Sequence, residues 1–267
     1  MNIPTASDAS ATVSKEVTDS VAALAQHLAD IARVLLAPGS VEQTLERIVS
    51  VSVTALDGCD DAGLCRGGEH SGDPRFGSTL SVALDEAQDR LGEGPCIVAL
   101  AGTDSVYVED LLDSSRWPRF APVASAAGIR SALSYRLSAG QDTLGALLLY
   151  ARLPSAFNAR DRAQGLLFAA HAGIALANAE AHALADDRAA NMQVAMLSRE
   201  VIGQAQGILM ERERITADQA FALLRRASQH LGRKLRDVAQ ELVETGSVPE
   251  SAFDRRGAST SRDTPAP

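Results

Sequence analysis

The 267-residue sequence predicts an α+β protein: an antiparallel sheet with flanking helices, a long helical stalk, and a small three-helix bundle at the end. Three observations predict it. Short apolar or alternating runs separated by Gly, Asp and Pro fill the stretch between residues 60 and 151, as strands require. From Asn158 the pattern turns helical and continues for about 50 residues without a strong Gly/Pro break, far beyond an ordinary helix. Two short amphipathic segments with cap signals then close the pattern before Gly246.

Residues 1–20 are poor in apolar side chains and are expected to form a disordered arm. Val21 to Leu36 recurs at helical spacing and stops at Pro38 and Gly39. Ser40 is placed to cap a second helix, "VEQTLERIVSVSVTAL". "DDAGLCRGG", "GSTLSVAL", "DSVYVEDL", "SALSYRLSA" and "TLGALLLYA" read as strands. Helical pieces lie around "DEAQDRLGEGPCIVALAG" and "RWPRFAPVASAAG". The α+β domain spans about residues 21–180, and residues 181–197 continue as a helical linker. The seam of the long helix after Asn158 is alanine-rich (Ala177, Ala181, Ala185, Ala189, Ala195) with Leu184, Met192 and Met196, and it suits a homodimer paired through the stalk. A helix packed back on its own domain is the alternative. Thr216 and Gln219 form a capping box ahead of "ADQAFALLRRASQHL", which ends at Gly232. "RKLRDVAQELVETG" follows, so residues 198–246 form a three-helix unit, and residues 247–267 are a disordered tail.

Composition excludes several classes. No apolar run approaches the roughly 20 residues needed to span a bilayer, and the polar N-terminus lacks the apolar centre of a signal peptide, so no membrane partner and a cytoplasmic address are expected. The five histidines are scattered singly, and Cys59, Cys65 and Cys96 fit no metal-ligand spacing. Three cysteines give no disulfide framework, and they read as small buried hydrophobes in a reducing compartment. No catalytic order, Walker loop or metal cluster is visible, so the chain reads as a non-enzyme without a cofactor.

Net charge is −9, but it is uneven. Residues 1–187 hold 13 basic against 24 acidic side chains, whereas residues 188–246 hold 9 against 7. A basic end on an acidic body keeps a local polyanion site without general stickiness.

The helix "IGQAQGILMER" contains two glycines, each costing roughly 1 kcal/mol against alanine in a helix interior. On a helical wheel Ile202, Ala205, Ile208 and Leu209 share the core sector. The opposite face collects Met196, Arg199, Gly203, Gln206, Gly207, Met210 and Arg214. Small residues flanked by donors suit close approach of a nucleic-acid backbone, with arginines meeting phosphates. A second helix of a dimer, or drift on a tolerant surface, would give the same pattern. In the next helix Phe221, Arg225 and Ser228 line up at i, i+4 and i+7, beside a core stripe of Ala220, Leu223, Leu224, Ala227 and Leu231. An aromatic next to arginine can stack unpaired bases, although a Phe can equally rim the core. In the last helix Leu235, Val238, Ala239 and Leu242 face inward, and Arg233, Lys234 and Arg236 cluster at its start.

The block "SREVIGQAQGILMERERITADQAFALLRRASQHLGRKLRDVAQELVETG" resembles the ANTAR domain, a three-helix RNA-binding module of bacterial antitermination regulators. Its AQGILM, AFALLR and KLRDVA segments keep that family's order and spacing, with Gln206 where many members carry lysine. Upstream, "LDEAQDRLGEGPCIVAL", "VEDLLDSSRWPRFAP", "GIRSALSYRL" and "LGALLLYARLPSAFNARD" resemble the GAF domains that precede ANTAR modules in actinobacteria. The resemblance implies a six-stranded antiparallel sheet with a small-molecule or redox-sensing pocket of unknown ligand. It also implies a dimer that binds paired hairpins in nascent RNA and prevents terminator formation. A DNA-binding helix-turn-helix is the rival, although the basic residues are spread over all three helices rather than one recognition helix.

Within the GAF-like part, "GEGPC" carries a candidate sensing residue. Gly94 can cap, Pro95 fits a first helical turn, and Cys96 then lies at a helix N-terminus, where a thiolate is stabilised.

Overall fold

The computed structural model describes residues 22, 25–26, 29–67, 75–113 and 115–247. The arm at 1–20 and the tail beyond Ser247 lie outside the described residues. Helical residues 29–35 lead to α1 (Val41–Ala55), where Ser40 and Gln43 form a reciprocal capping box. Then come β1 (Asp61–Arg66), β2 (Phe76–Gly77), α2 (Thr79–Leu91), α3 (Pro95–Leu100), β3 (Ser105–Val108), α4 (Phe120–Ala126), β4 (Ser131–Ala139) and β5 (Asp142–Ala151). The chain ends with α5 (Ala159–Glu213), α6 (Ala217–Leu231) and α7 (Leu235–Thr245).

Five strands are present among the described residues, where the resemblance implied six, and all pair antiparallel in the order β2-β1-β5-β4-β3. The expected strand "GSTLSVAL" is helical from Thr79 onward, β2 just before it was not expected, and the helical piece expected around "DEAQDRLGEGPCIVALAG" is divided between the end of α2 and α3. Ser78 accepts hydrogen bonds from the N–H groups of Leu80 and Ser81 and starts α2 instead. The buried residues of α2 are Ser81, Leu84, Asp85, Ala87 and Gln88, three of the five polar, so the apolar periodicity that marks a helix is weak.

Each face of the sheet supports a core, because alternate residues along each strand point to opposite sides. Ala62, Leu64, Leu133, Tyr135, Leu147 and Leu149 pack with Ile31, Leu35 and Ile48 and with Phe168, Ala172 and Leu176 of α5. The opposite face carries Cys65, Ala132, Ala146, Leu148 and Tyr150, covered by α2, α3 and α4 through Leu84, Cys96, Ala99, Phe120 and Ala124.

The chain divides into two units between Leu184 and Ala185, with α5 running continuously from one to the other. In the second unit Ala205, Leu209, Ala220, Leu224, Ala239 and Leu242 form the core, with Ile202, Ile208 and Leu223 packed at its edge. These are the positions that the helical wheels place inward.

Candidate nucleic-acid interface and sensor face

In the second unit, the outward stripe of α5 is set by the burial of Ala205 and Leu209 on the other side. Arg199, Gly203, Gly207 and Met210 are exposed on it, Met210 at 39%. A Cβ added at Gly203 or Gly207 would meet nothing within 4 Å, so neither glycine is required by packing inside this unit. Arg214 lies one residue beyond α5, exposed, in the left-handed region with φ 53°. Gln206 behaves differently: it is half-buried, and its amide Nε2 donates to the Ala217 carbonyl at 3.1 Å, tying α5 to the first turn of α6.

On α6, Phe221 is 40% exposed and Arg225 is exposed, both on the side away from Ala220, Leu224 and Ala227. Ser228 is committed to the helix end, its hydroxyl donating to the Arg233 carbonyl at 2.6 Å. Arg233 forms an ion pair with Glu241, whereas Lys234 is the exposed N-cap residue of α7. Among the described residues, Arg199, Arg214, Arg225 and Lys234 take part in no ion pair, so their charge is available to a polyanion. Arg236 pairs with Asp237 at 3.1 Å, and both line a groove of about 230 Å³ with Val194, Leu197, Ser198 and Gln240. Arg212 closes the far end of α7 by donating to the Gly246 carbonyl.

The first unit holds a buried polar network that no pattern in the sequence announces. The Tyr150 hydroxyl donates to Asp85 Oδ1 at 2.6 Å, and Gln88 Nε2 donates to the Tyr150 oxygen at 3.1 Å. Gln88 Oε1 then accepts the Cys96 N–H at 2.7 Å, so the network joins α2 and β5 to the start of α3. Burial pushes the Asp85 carboxyl up to about 7 and the Tyr150 phenol well above its ordinary value. Among the described residues, Asp85 Oδ2 and Ser134 Oγ are buried without a hydrogen-bond partner. Ser134 is in register with Leu148 and Val106, on the same sheet face as Gly63, against which Asp85 Oδ2 packs.

Cys96 lies in this network, but not as a free thiol. It is bridged to Cys65 of β1, 31 residues away in sequence, which corrects the expectation that the cysteines form no disulfide. The pairing is non-local: α3 packs its first turn on the sheet face that displays Cys65, and no spacing in the sequence announces it. Cys59 is the free cysteine among the described residues, with burial pushing its thiol up to about 12. On the opposite face of β1, the neighbouring Arg66 is 5% exposed and ion-paired with Glu180 of α5.

A five-stranded antiparallel sheet flanked by helices on both faces is an architecture of the GAF type. A GAF domain model matches residues 39–177, just over half of the chain, and an ANTAR domain model matches residues 190–243. The chain belongs to the GAF domain family and carries an ANTAR output domain after it. Among solved structures it is similar to the GAF domain of a phosphoenolpyruvate-protein phosphotransferase from Acinetobacter, at 14% identity over 60% of this chain and 96% of that one, TM-score 0.44. It is also similar to the free methionine-R-sulfoxide reductase of Neisseria meningitidis, at 16% identity over 61% of this chain and 93% of that one, TM-score 0.46. No curated protein matches the chain in sequence. No helix among the described residues is long and apolar enough to cross a membrane.

Proposed function

We propose that the chain is a non-catalytic cytoplasmic regulator that binds paired hairpins in nascent RNA and acts by transcription antitermination, with a small-molecule ligand or redox signal read by the GAF domain. The observation that carries this reading is where the ANTAR match falls. It covers a three-helix unit whose exposed surface presents Arg199, Arg225 and Lys234 without acidic partners, together with a 40% exposed Phe221. Unpaired cations supply phosphate contacts, and an exposed aromatic supplies a stacking plane for unpaired bases.

Two copies act together in this proposal. Leu184, Met192 and Met196 of α5, the larger members of the alanine-rich seam, are exposed on one side of the helix, and a second α5 would cover them. A mass measured by sedimentation equilibrium at twice the chain mass supports pairing, and a monomer at all concentrations removes it.

The RNA assignment is tested by titrating the full chain against a two-hairpin RNA and a duplex DNA of matched length at one fixed ionic strength. Preference for the hairpin RNA is expected. Equal or tighter binding to the duplex overturns the reading in favour of a DNA-binding regulator, and no binding to either leaves a sensor without direct nucleic-acid contact.

A further inference from the structure

β1 carries two adjacent residues with opposite attachments. Cys65 points to the face covered by α2, α3 and α4, and is joined to Cys96 at the start of α3. Arg66 points to the other face and is ion-paired with Glu180 of α5. Among the described residues Arg66 Nε has no hydrogen-bond partner, so this buried guanidinium depends on Glu180 for its neutralisation. Any movement of β1 that followed the state of Cys65 would reach Glu180 through Arg66, on the helix that continues into the ANTAR domain.

We propose that Cys65 and Cys96 are a reversible thiol–disulfide switch oxidised by a small hydroperoxide, and that the adjacent Arg66–Glu180 pair passes its state to α5. The proposal rests on the RNA-binding reading in one respect. An output that meets nascent RNA works among reducing thiols, where a disulfide is a transient, signalling state rather than a permanent staple.

The chemistry balances within the pair. One cysteine, as thiolate, attacks the O–O bond of hydrogen peroxide; hydroxide leaves and takes up the thiol's proton as water, and a sulfenic acid remains. The second thiol then attacks that sulfur and displaces the hydroxyl group, which leaves as a second water. Two thiols lose two electrons and two protons, and one peroxide becomes two waters. A dithiol reverses the step by thiol–disulfide exchange and is itself oxidised to a disulfide.

Cys65 is 3% and Cys96 1% exposed, which favours a small neutral oxidant over a bulky disulfide. The larger reductant needs an opening, and α3 provides one. It has six residues and stands between Gly94 and Gly102, both at positive φ, so it can lift without unwinding the longer α2. The third cysteine is a poor competitor, since the half-buried Cys59 thiol donates to the Asp61 carbonyl.

The test uses the full chain, reduced with dithiothreitol, desalted, exposed to hydrogen peroxide, then unfolded and alkylated for intact mass and peptide mapping. The expected result is three alkylated cysteines before peroxide and one, Cys59, after it, with a linked Cys65–Cys96 peptide that dithiothreitol releases. Cys59→Ser should leave this linkage unchanged, and Cys65→Ser or Cys96→Ser should abolish it. Hydrogen exchange of residues 159–184 should differ between the two states by about tenfold at affected amides. Glu180→Gln, which keeps the shape of the partner but removes its charge, should reduce that difference while the disulfide still forms.

Failure to form the link, failure of dithiothreitol to reverse it, or identical α5 exchange in the two states overturns the switch. Hairpin-RNA affinity is measured in parallel, with a change of about fivefold or more expected between the states. Absence of RNA binding in both states removes the RNA reading alone, because thiol counting and α5 exchange do not depend on it. Binding that is equal in both states overturns the transmission to the output.

Discussion

The Tyr150 hydroxyl donates to Asp85 Oδ1 at 2.6 Å, and both side chains are withdrawn from water between α2 and β5. The bond favours the carboxylate, but burial outweighs it, assisted by Asp61 and opposed by Arg75, and leaves the Asp85 carboxyl at about 7. A carboxyl raised above its unfolded value of 3.8 keeps its proton in the folded state while the unfolded chain has already lost it. Folding is therefore favoured most below about pH 4, and stability contributed at this site is lost as pH rises towards about 7. Asp85→Asn keeps an oxygen acceptor for Tyr150 and cannot ionise. Urea midpoints followed by the fluorescence of Trp117, the only tryptophan, should fall less with pH in the variant than in the parent. Parallel pH dependence in the two proteins would show that Asp85 ionises normally.

Four glycines of α5 separate into two kinds. A Cβ at Gly173 would meet the Ser138 carbonyl oxygen at 2.6 Å, and one at Gly165 would meet the Tyr135 hydroxyl at 2.4 Å, so the helix needs both to seat against the sheet. Gly203 and Gly207 face open space. Gly173→Ala should destabilise the sensor unit by about 1–3 kcal/mol through overpacking. Gly207→Ala should stabilise the ANTAR unit by roughly 1 kcal/mol through helix propensity. Thermal melts followed by Trp117 fluorescence and by helical circular dichroism separate the two effects. Gly207→Leu then tells apart the two uses of this face: loss of RNA binding with an unchanged oligomer assigns it to RNA, and loss of the oligomer assigns it to the partner copy.

Thr216 accepts the Gln219 N–H, and Gln219 Oε1 accepts the Thr216 N–H at 3.0 Å, closing a capping box at the start of α6. Thr216→Ala should cost about 1 kcal/mol and Thr216→Ser much less, because serine keeps the accepting oxygen. Equal losses in the two variants, measured by urea denaturation, would show that the methyl group and not the cap is responsible.

What the sequence disclosed follows from the range of the interactions involved. Ser40 with Gln43, Thr216 with Gln219, and the periodic Ala205, Leu209, Leu224 and Leu242 act over a few residues, so helix starts and inward faces could be read directly. The first half of α2 reads as a strand and only the part from Asp85 as a helix, because the buried side holds Ser81, Asp85 and Gln88, which are held there through Ser78, Tyr150 and the Cys96 N–H. Cys65 with Cys96 and Arg66 with Glu180 are joined across the fold, and no local pattern marks either pair. On the ANTAR stripe the outward sector was legible, but side-chain reach was not: Gln206 sits at its margin and turns its amide to the Ala217 carbonyl.

Phe221 and Arg225 share one exposed side of α6, one turn apart; under the proposed RNA-binding reading, a stacking ring and a phosphate-binding cation would weaken binding in different ways when removed. Arg225→Ala loses a charge, so the slope of log affinity against log salt should fall by about 0.7 to 0.9. Phe221→Ala loses about 1–3 kcal/mol of stacking with a base, which weakens binding at every salt concentration and leaves the slope alone. The double variant should lose measurable hairpin binding while its helical circular dichroism stays at the parental level, because Ala220, Leu224 and Ala227 hold α6 in place. If helical signal falls with Phe221→Ala, the ring belongs to the core and not to the interface. If Phe221→Ala changes the salt slope and Arg225→Ala does not, the two roles assigned on this helix are wrong, even though the surface binds RNA.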